Sequence, residues 1–154
     1  MTFARIRTAT LDDLETVAAL FDSYRQFYEQ PADLGAARAF IHDRLRNHES
    51  VILLALDETG RSIGFCQLYP IFCSIEAKPI YSLSDLFVLP AQRRTGTGRA
   101  LLLAAERHAL ETGRAKMELT TARTNTTAQA AYESLGWRRD EVFLAYSKHL
   151  QRGV

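Results

Sequence analysis

Apolar residues recur at helical spacing from Leu14 through Val17, Ala18, Phe21, Tyr24 and Tyr28, a pattern that predicts one buried helix face. Thr10, followed three residues later by Asp13, supplies the start signal of a capping box. Pro31 interrupts the pattern, and a second helix over about 33–47 is marked by Ala37, Phe40, Ile41 and Leu45. A short strand at about 4–8 precedes both. Next, "VILLAL" reads as a continuous apolar strand, "DETG" as turn chemistry and "SIGFCQLY" as the returning strand of a hairpin. After Pro70 and Pro79, "IYSLSDLFV" alternates, with Tyr81, Leu83 and Asp85 on one face and Ser82, Ser84 and Leu86 on the other. Helical spacing returns over about 98–112 and stops at Gly113. "AKMELTTA" predicts a strand, "NTTAQAAYESLG" a short helix closed by Gly136, and "EVFLAYSKHL" a last strand.

The order β-α-α-β-β-β-α-β-α-β, with no repeat or linker, predicts one α/β domain over residues 1–154 with a mixed sheet. Composition narrows the function. Hydrophobic residues make up 47% and charged residues 24%, as in an ordinary globular protein. Nineteen Lys+Arg against 18 Asp+Glu leave a net charge of +1, so no global field draws nucleic acid or an anionic membrane. No apolar run reaches membrane-spanning length, and the N-terminus lacks the basic-then-apolar order of a secretory signal. Cys66 and Cys73 flank "QLYPIF" at no metal or redox spacing, which predicts reduced thiols in a cytoplasmic protein. The four histidines are scattered, and no metal site is predicted.

With no global field, any anion site must be local, and "VLPAQRRTGTGRALL" is the place for one. The first turn of a helix leaves N–H groups without intrahelical partners, and the peptide dipoles add partial positive charge there. Gly96 and Gly98 remove side chains that would block those N–H groups, while Arg93, Arg94 and Arg99 add charge. A P-loop is excluded, because no Gly-Lys-Ser/Thr follows. A dinucleotide fingerprint would need glycine where Leu101 stands. A glycine-rich helix entry with exposed arginines satisfies the same residues.

With its flanks, the stretch resembles the acetyl-coenzyme A signature of the GNAT N-acetyltransferases. Arg93-Arg94-Thr95-Gly96-Thr97-Gly98 follows a strand ending "LFV". The family's second block is matched downstream by Asn125, Ala128, Tyr132, Gly136 and Trp137. The resemblance implies a GNAT fold: a mixed sheet of six to seven strands, splayed between the fourth and fifth, with about four helices. It implies that backbone groups of Leu86, Phe87 and Val88 pair with the pantetheine arm of acetyl-coenzyme A. The N–H groups from Arg93 to Arg99 would hold its pyrophosphate, and Asn125, with Ala128 in its block, would lie near the pantetheine end. A homodimer is implied by family habit.

Acetyl transfer to an amine needs a neutral amine, a polarised carbonyl and a protonated leaving thiolate. Tyr132 suits the last role, since a phenol stays protonated at neutral pH yet is a competent acid toward a thiolate. A tyrosine packed against the last strand would fit the same pattern. Asp85, a lone carboxylate among apolar or small residues, is the candidate for the substrate's proton, directly or through water. "YSLSDLFV" is similar to the corresponding strand of spermidine/spermine acetyltransferases, which carry a glutamate where this chain has Ser84. Ser84 would then position a water. By the same resemblance Tyr24, Tyr28 and Glu29, with Phe27 and Asp33 beside them, and Gln67 and Tyr69 would line an acceptor pocket for a small cationic amine. Protein or amino-acid acceptors, and a coenzyme A-binding module without catalysis, are the alternatives.

Overall fold

The computed structural model describes residues 4–151, and its chain divides into two compact units, Met1–Thr120 and Thr121–Val154. The first unit holds a five-stranded sheet in the order β1-β2-β3-β4-β5. Its strands are β1 (Arg5–Thr8), β2 (Val51–Leu56), β3 (Ser62–Cys73), β4 (Lys78–Val88) and β5 (Met117–Glu118), and its helices α1 (Leu14–Phe27), α2 (Leu34–Arg46) and α3 (Thr97–Glu111).

The capping box forms as the sequence predicts. Thr10 accepts from Asp12 N at 3.3 Å, and Asp13 Oδ2 accepts from Thr10 N at 2.8 Å, over a single turn of 3₁₀ helix that leads into α1. Arg7 grips the same carboxylate at 2.7 and 2.8 Å and holds the Asp13 carboxyl below the usual carboxylate range. The edge strand β1 is thereby tied to the start of α1. Asp33 caps α2 by accepting from Ala36 N at 3.0 Å.

The unbroken run of β2 follows from burial on both faces. Ile52, Leu54 and Leu56 join Val17, Leu20, Phe21, Ala37 and Ile41 of α1 and α2, with Phe65 and Phe87, in one core. The alternate residues Leu53 and Ala55 are buried on the other face, where α3 packs against β2, β3 and β4 through Leu101, Leu102 and Ala105. Between β3 and β4 the chains run close. A Cβ at Gly64 would stand 2.7 Å from the Phe87 carbonyl oxygen, so only glycine fits there.

Three expectations are corrected. The sheet has five strands rather than six or seven among the described residues, and 141–150 forms no strand. Alternation in sequence makes a strand only where a neighbour supplies ladder hydrogen bonds. Around 142–143 the backbone N–H groups instead go to Asp140 Oδ1 at 2.8 and 2.9 Å. The strand expected across "AKMELTTA" is only Met117–Glu118, paired parallel with Tyr81 and Ser82. Beyond Ser82 a bulge inserts Ser84 into β4, and a bulge bends its strand and ends regular pairing. Pairing between β4 and β5 thus stops at Ser82–Glu118, ahead of Asp85, in agreement with the expected splay.

The second unit contains α4 (Thr126–Ser134). Asn125 caps it, its Oδ1 accepting from Ala128 N at 3.2 Å, and Gly136 beyond its end adopts φ +92°. Among the described residues no helix is long and apolar enough to cross a membrane.

Candidate active site

The bulge in β4 decides where Asp85 goes. With Ser84 as the extra residue, Asp85 stands opposite Gln67 of β3, and Leu83 opposite Leu68. Gln67 is 0% exposed, and its amide Nε2 donates to Asp85 Oδ2 at 2.6 Å. Its Oε1 accepts from the Ser50 hydroxyl at 2.7 Å. Thus Gln67 does not line a pocket, as the sequence suggested, but is spent on two internal partners. The Tyr24 hydroxyl donates to Ser84 O at 3.2 Å and reaches the Asp85 carboxyl as well. Burial raises the Asp85 carboxyl above its ordinary value, and the Gln67 and Tyr24 hydrogen bonds oppose that rise. A half-buried carboxyl whose proton affinity burial raises is a better proton acceptor than an exposed one.

Tyr69 flanks the carboxyl. Burial and the Asp85 charge push its hydroxyl up to about 12, while Arg44 donates to it and opposes the rise. Arg44 is itself paired with Glu49 at 3.3 Å and lies over the Phe40 ring at 4.3 Å. Ser84 is exposed, its hydroxyl 3.0 Å from that of Ser82.

An aromatic run leads outward from this cluster. Tyr24 meets Phe65 and Phe87 edge-on at 5.8 and 6.1 Å, and Tyr28 at 5.1 Å. Phe27 meets Tyr28 at 5.2 Å and lies under the Arg93 guanidinium at 5.2 Å. Tyr28 is exposed, and Glu29 is the exposed residue after it, at φ +64°. The structure therefore gathers Tyr24, Gln67, Tyr69, Ser84 and Asp85, and sets Tyr28 and Glu29 at the rim.

The glycine turn has a different character. Gly96 adopts φ +86° at the N-cap of α3, a conformation that favours glycine, and Arg94 is also left-handed at φ +64°. The first helical bond runs from Ala100 N to Gly96 O at 2.9 Å, so the N–H groups of Thr97, Gly98 and Arg99 belong to the helix mouth. No acidic residue occupies that first turn. Thr95 closes the loop by donating to Gln92 O at 2.6 Å and lies 2.9 Å from the Thr97 hydroxyl. Arg93 folds back, its Nε donating to Val88 O at 3.0 Å. From Leu83 to Val88 the β4 edge opposite β3 pairs with no strand among the described residues. The ladder bond from Leu89 N to Ile63 O turns the Phe87 backbone toward β3 and that of Leu86 and Val88 away from it, the Val88 carbonyl being the one that Arg93 holds. An extended chain beside that edge, ending in an anion at the helix mouth, fits both features.

In the second unit Asn125 and Ala128 share one cap, and the Tyr132 ring lies 6.0 Å from that of Trp137. Ala128, Tyr132 and Leu135 are half-buried, in agreement with a shared helix face.

Sequence reasoning missed Ser50 and Arg44. Ser50 lies just before an apolar strand and Arg44 within a charged helix face, and neither position carries a local signal.

Comparison with known proteins follows the same residues. Positions 17–137 match the model of the acetyltransferase (GNAT) family. The chain is 47% identical over 141 residues to the uncharacterized N-acetyltransferase YhfO of Bacillus subtilis, covering 92% of this chain and 94% of that one. It is 30% identical over 92 residues to an aminoglycoside N(6')-acetyltransferase type 1 of Salmonella typhimurium, covering 58% of this chain and 63% of that one. A crystal structure of a probable acetyltransferase superposes with a TM-score of 0.89 at 41% identity, covering 97% of this chain and 99% of that one.

Proposed function

The chain belongs to the GNAT acetyltransferase family, and on that premise we propose that it moves the acetyl group of acetyl-coenzyme A to the primary amine of a small cationic, polyamine-like acceptor in a ternary complex. The observation that carries the acceptor half is Asp85, a half-buried carboxyl of raised proton affinity beside Tyr24 and Tyr69. An aromatic surround with one carboxylate suits an ammonium group. The donor half rests on the β4 edge at Leu86 to Val88, which pairs with no strand among the described residues, and on the helix mouth from Arg93 to Arg99, whose first turn holds no acidic residue. The relative from Salmonella is named for a polycationic amine, which favours the same acceptor chemistry.

Bound along β4, acetyl-coenzyme A supplies an acetyl thioester. Asp85 takes one proton from the acceptor ammonium and frees its lone pair, with Ser84 placed to hold a bridging water. As the C–N bond forms and the C–S bond breaks, Tyr132 donates its proton to the leaving sulfur. The second amine proton passes to solvent, and Tyr132 is reprotonated from solvent. Asn125 and Ala128 present the α4 cap toward the pantetheine end in this reading.

The single family match spans residues on both sides of Thr120, which supports one catalytic domain. Free Cys66 and Cys73 support a reducing, cytoplasmic setting, and we read the assembly as a homodimer. The experiment mixes protein, acetyl-coenzyme A and an acceptor panel of spermidine, small diamines, aminoglycosides, amino acids and a lysine peptide, and follows free thiol. Fastest release with the polycations is the expected result. Faster release with amino acids or peptides replaces the acceptor assignment. Cofactor binding with no acceptor-dependent thiol assigns the chain as a binding module.

A further inference from the structure

The Ser50–Gln67–Asp85 chain has a polarity that its atoms dictate. An ionised carboxylate only accepts hydrogen bonds, so the Gln67 side facing Asp85 Oδ2 at 2.6 Å must be its NH₂. The opposite side is then the carbonyl Oε1, which also only accepts, so Ser50 must donate to it at 2.7 Å. A hydroxyl that could point either way is committed by the carboxylate two groups along. The commitment works in reverse too. While Ser50 donates to Oε1, the amide is held against turning over, and a proton placed on Oδ2 would face another donor. The Tyr24 hydroxyl that also reaches the carboxyl can give its proton to Ser84 O at 3.2 Å instead, so it does not compete with a proton arriving on the carboxyl as the Gln67 amide does on Oδ2.

We propose that Ser50 and Gln67 are positioning residues for the transfer: together they keep Asp85 Oδ2 occupied, so that the carboxyl takes the acceptor's proton at Oδ1. The inference rests on the reading of Asp85 as the base. Ser50 acts through Gln67 and not on substrate. It lines a cleft of about 590 Å³ with Thr8, Thr10, Leu45 and Ile52, and neither Asp85, Tyr24 nor Tyr69 lines that cleft. Gln67 is 0% exposed, so its amide is oriented by Ser50 and Asp85 rather than by solvent. The titratable groups around the carboxyl are Tyr24 from α1 and Cys66 and Tyr69 from β3, with Arg44 and Glu49 beyond Tyr69. Burial pushes Cys66 and Tyr69 up to about 12 each, so neither titrates alongside Asp85.

The test uses the full chain with Ser50→Ala, Ser50→Thr and Asp85→Asn. The Asp85 carboxyl is titrated by ¹³C NMR, its signal assigned by its loss in Asp85→Asn, and the pH profile of kcat/KM is measured with the best acceptor. Without Ser50 the Gln67 amide can turn its Oε1 toward a protonated Oδ2, and a hydrogen bond to the neutral form raises a carboxyl's pKa. Ser50→Ala is therefore expected to move the NMR midpoint and the acid limb of the profile upward together, by roughly half to one pH unit. KM for acetyl-coenzyme A is expected to stay within about twofold, and Ser50→Thr, which keeps the hydroxyl, restores both readings. An unmoved midpoint in Ser50→Ala overturns the proposal. So does a shift that Ser50→Thr fails to restore, since that assigns the effect to packing. Wild-type turnover in Asp85→Asn overturns the base reading itself, and the NMR midpoint then judges the lock on its own.

Discussion

The Asp85 cluster and the glycine turn lie at successive ends of one strand and its exit, yet they are built on opposite plans. Around Asp85 the protein supplies partners from within: Gln67 to the carboxyl, Ser50 to Gln67, Arg44 to Tyr69 and Glu49 to Arg44. At the turn the first N–H groups of α3 stand at a helix mouth with no acidic residue in the first turn, the place proposed for the cofactor's pyrophosphate. A locked carboxyl serves proton transfer, where orientation and proton affinity set the rate. An open cradle serves binding, where any internal partner would compete with the ligand. Substitutions in the first region should therefore act on turnover and pH profile, and those in the second on affinity.

The largest effect is expected from Asp85→Asn, which keeps shape and removes the proton acceptor. Its kcat should fall by roughly 10²–10⁴ with the KM for acetyl-coenzyme A unchanged, as read from steady-state kinetics. A drop confined to KM would erase the contrast between the two regions. In the wild type, kcat/KM should decline as pH falls through an apparent pKa raised from that of an ordinary aspartate, because burial raises Asp85 and its protonated form cannot accept. Tyr132→Phe comes next, with turnover lowered by roughly tenfold to hundredfold and cofactor affinity unchanged by calorimetry. Unchanged turnover, where chemistry limits the rate, would remove Tyr132 as the acid.

On the cradle side, Gly98→Val is expected to weaken coenzyme A binding by roughly tenfold while the melting temperature barely moves. A Cβ there would meet only Val88 Cγ2 at 3.9 Å, so the loss expected is at the proposed pyrophosphate site and not in the fold. Normal affinity would detach the helix mouth from the pyrophosphate. The smallest effect belongs to Gly96→Ala. Nothing stands within 4 Å of a Cβ at that position, so the cost is backbone conformation alone at φ +86°. It should be about 1 kcal/mol, seen as a melting point lowered by about 3 °C.

The two regions also differ in how far the sequence displays them. The cradle occupies consecutive positions, so a glycine spacing, flanking arginines and a strand-to-helix switch stand side by side in "QRRTGTGRA". The helices were legible for a related reason: the Thr10–Asp13 box and the Asp33 and Asn125 caps are local chemistry read within three or four residues. The Asp85 lock draws on α1, the residue before β2, β3 and β4, and becomes visible only once the β3–β4 register is known. Alternation put Asp85 on the Tyr81–Leu83 face but could not show that Ser84 is an extra residue opposite no partner. Gln67 carried a polar label that suggested a pocket, whereas its burial follows from neighbours far away in sequence. The final strand failed for the converse reason: the apolar run 142–144 is present, but a strand is a property of two chains.

The two cysteines carry a practical consequence for following this reaction. Free coenzyme A would be counted by a thiol-reactive dye, and the protein's own sulfur is the background. Cys66 lies fully buried on β3 with its thiol pushed up to about 12, so it supplies almost no reactive thiolate at assay pH. Cys73, half-exposed at the end of the same strand, is left as the one contributor. Native protein should therefore consume a single equivalent of dye per chain before substrate is added, and a second should appear only on denaturation. The colour that develops after that first equivalent belongs to turnover.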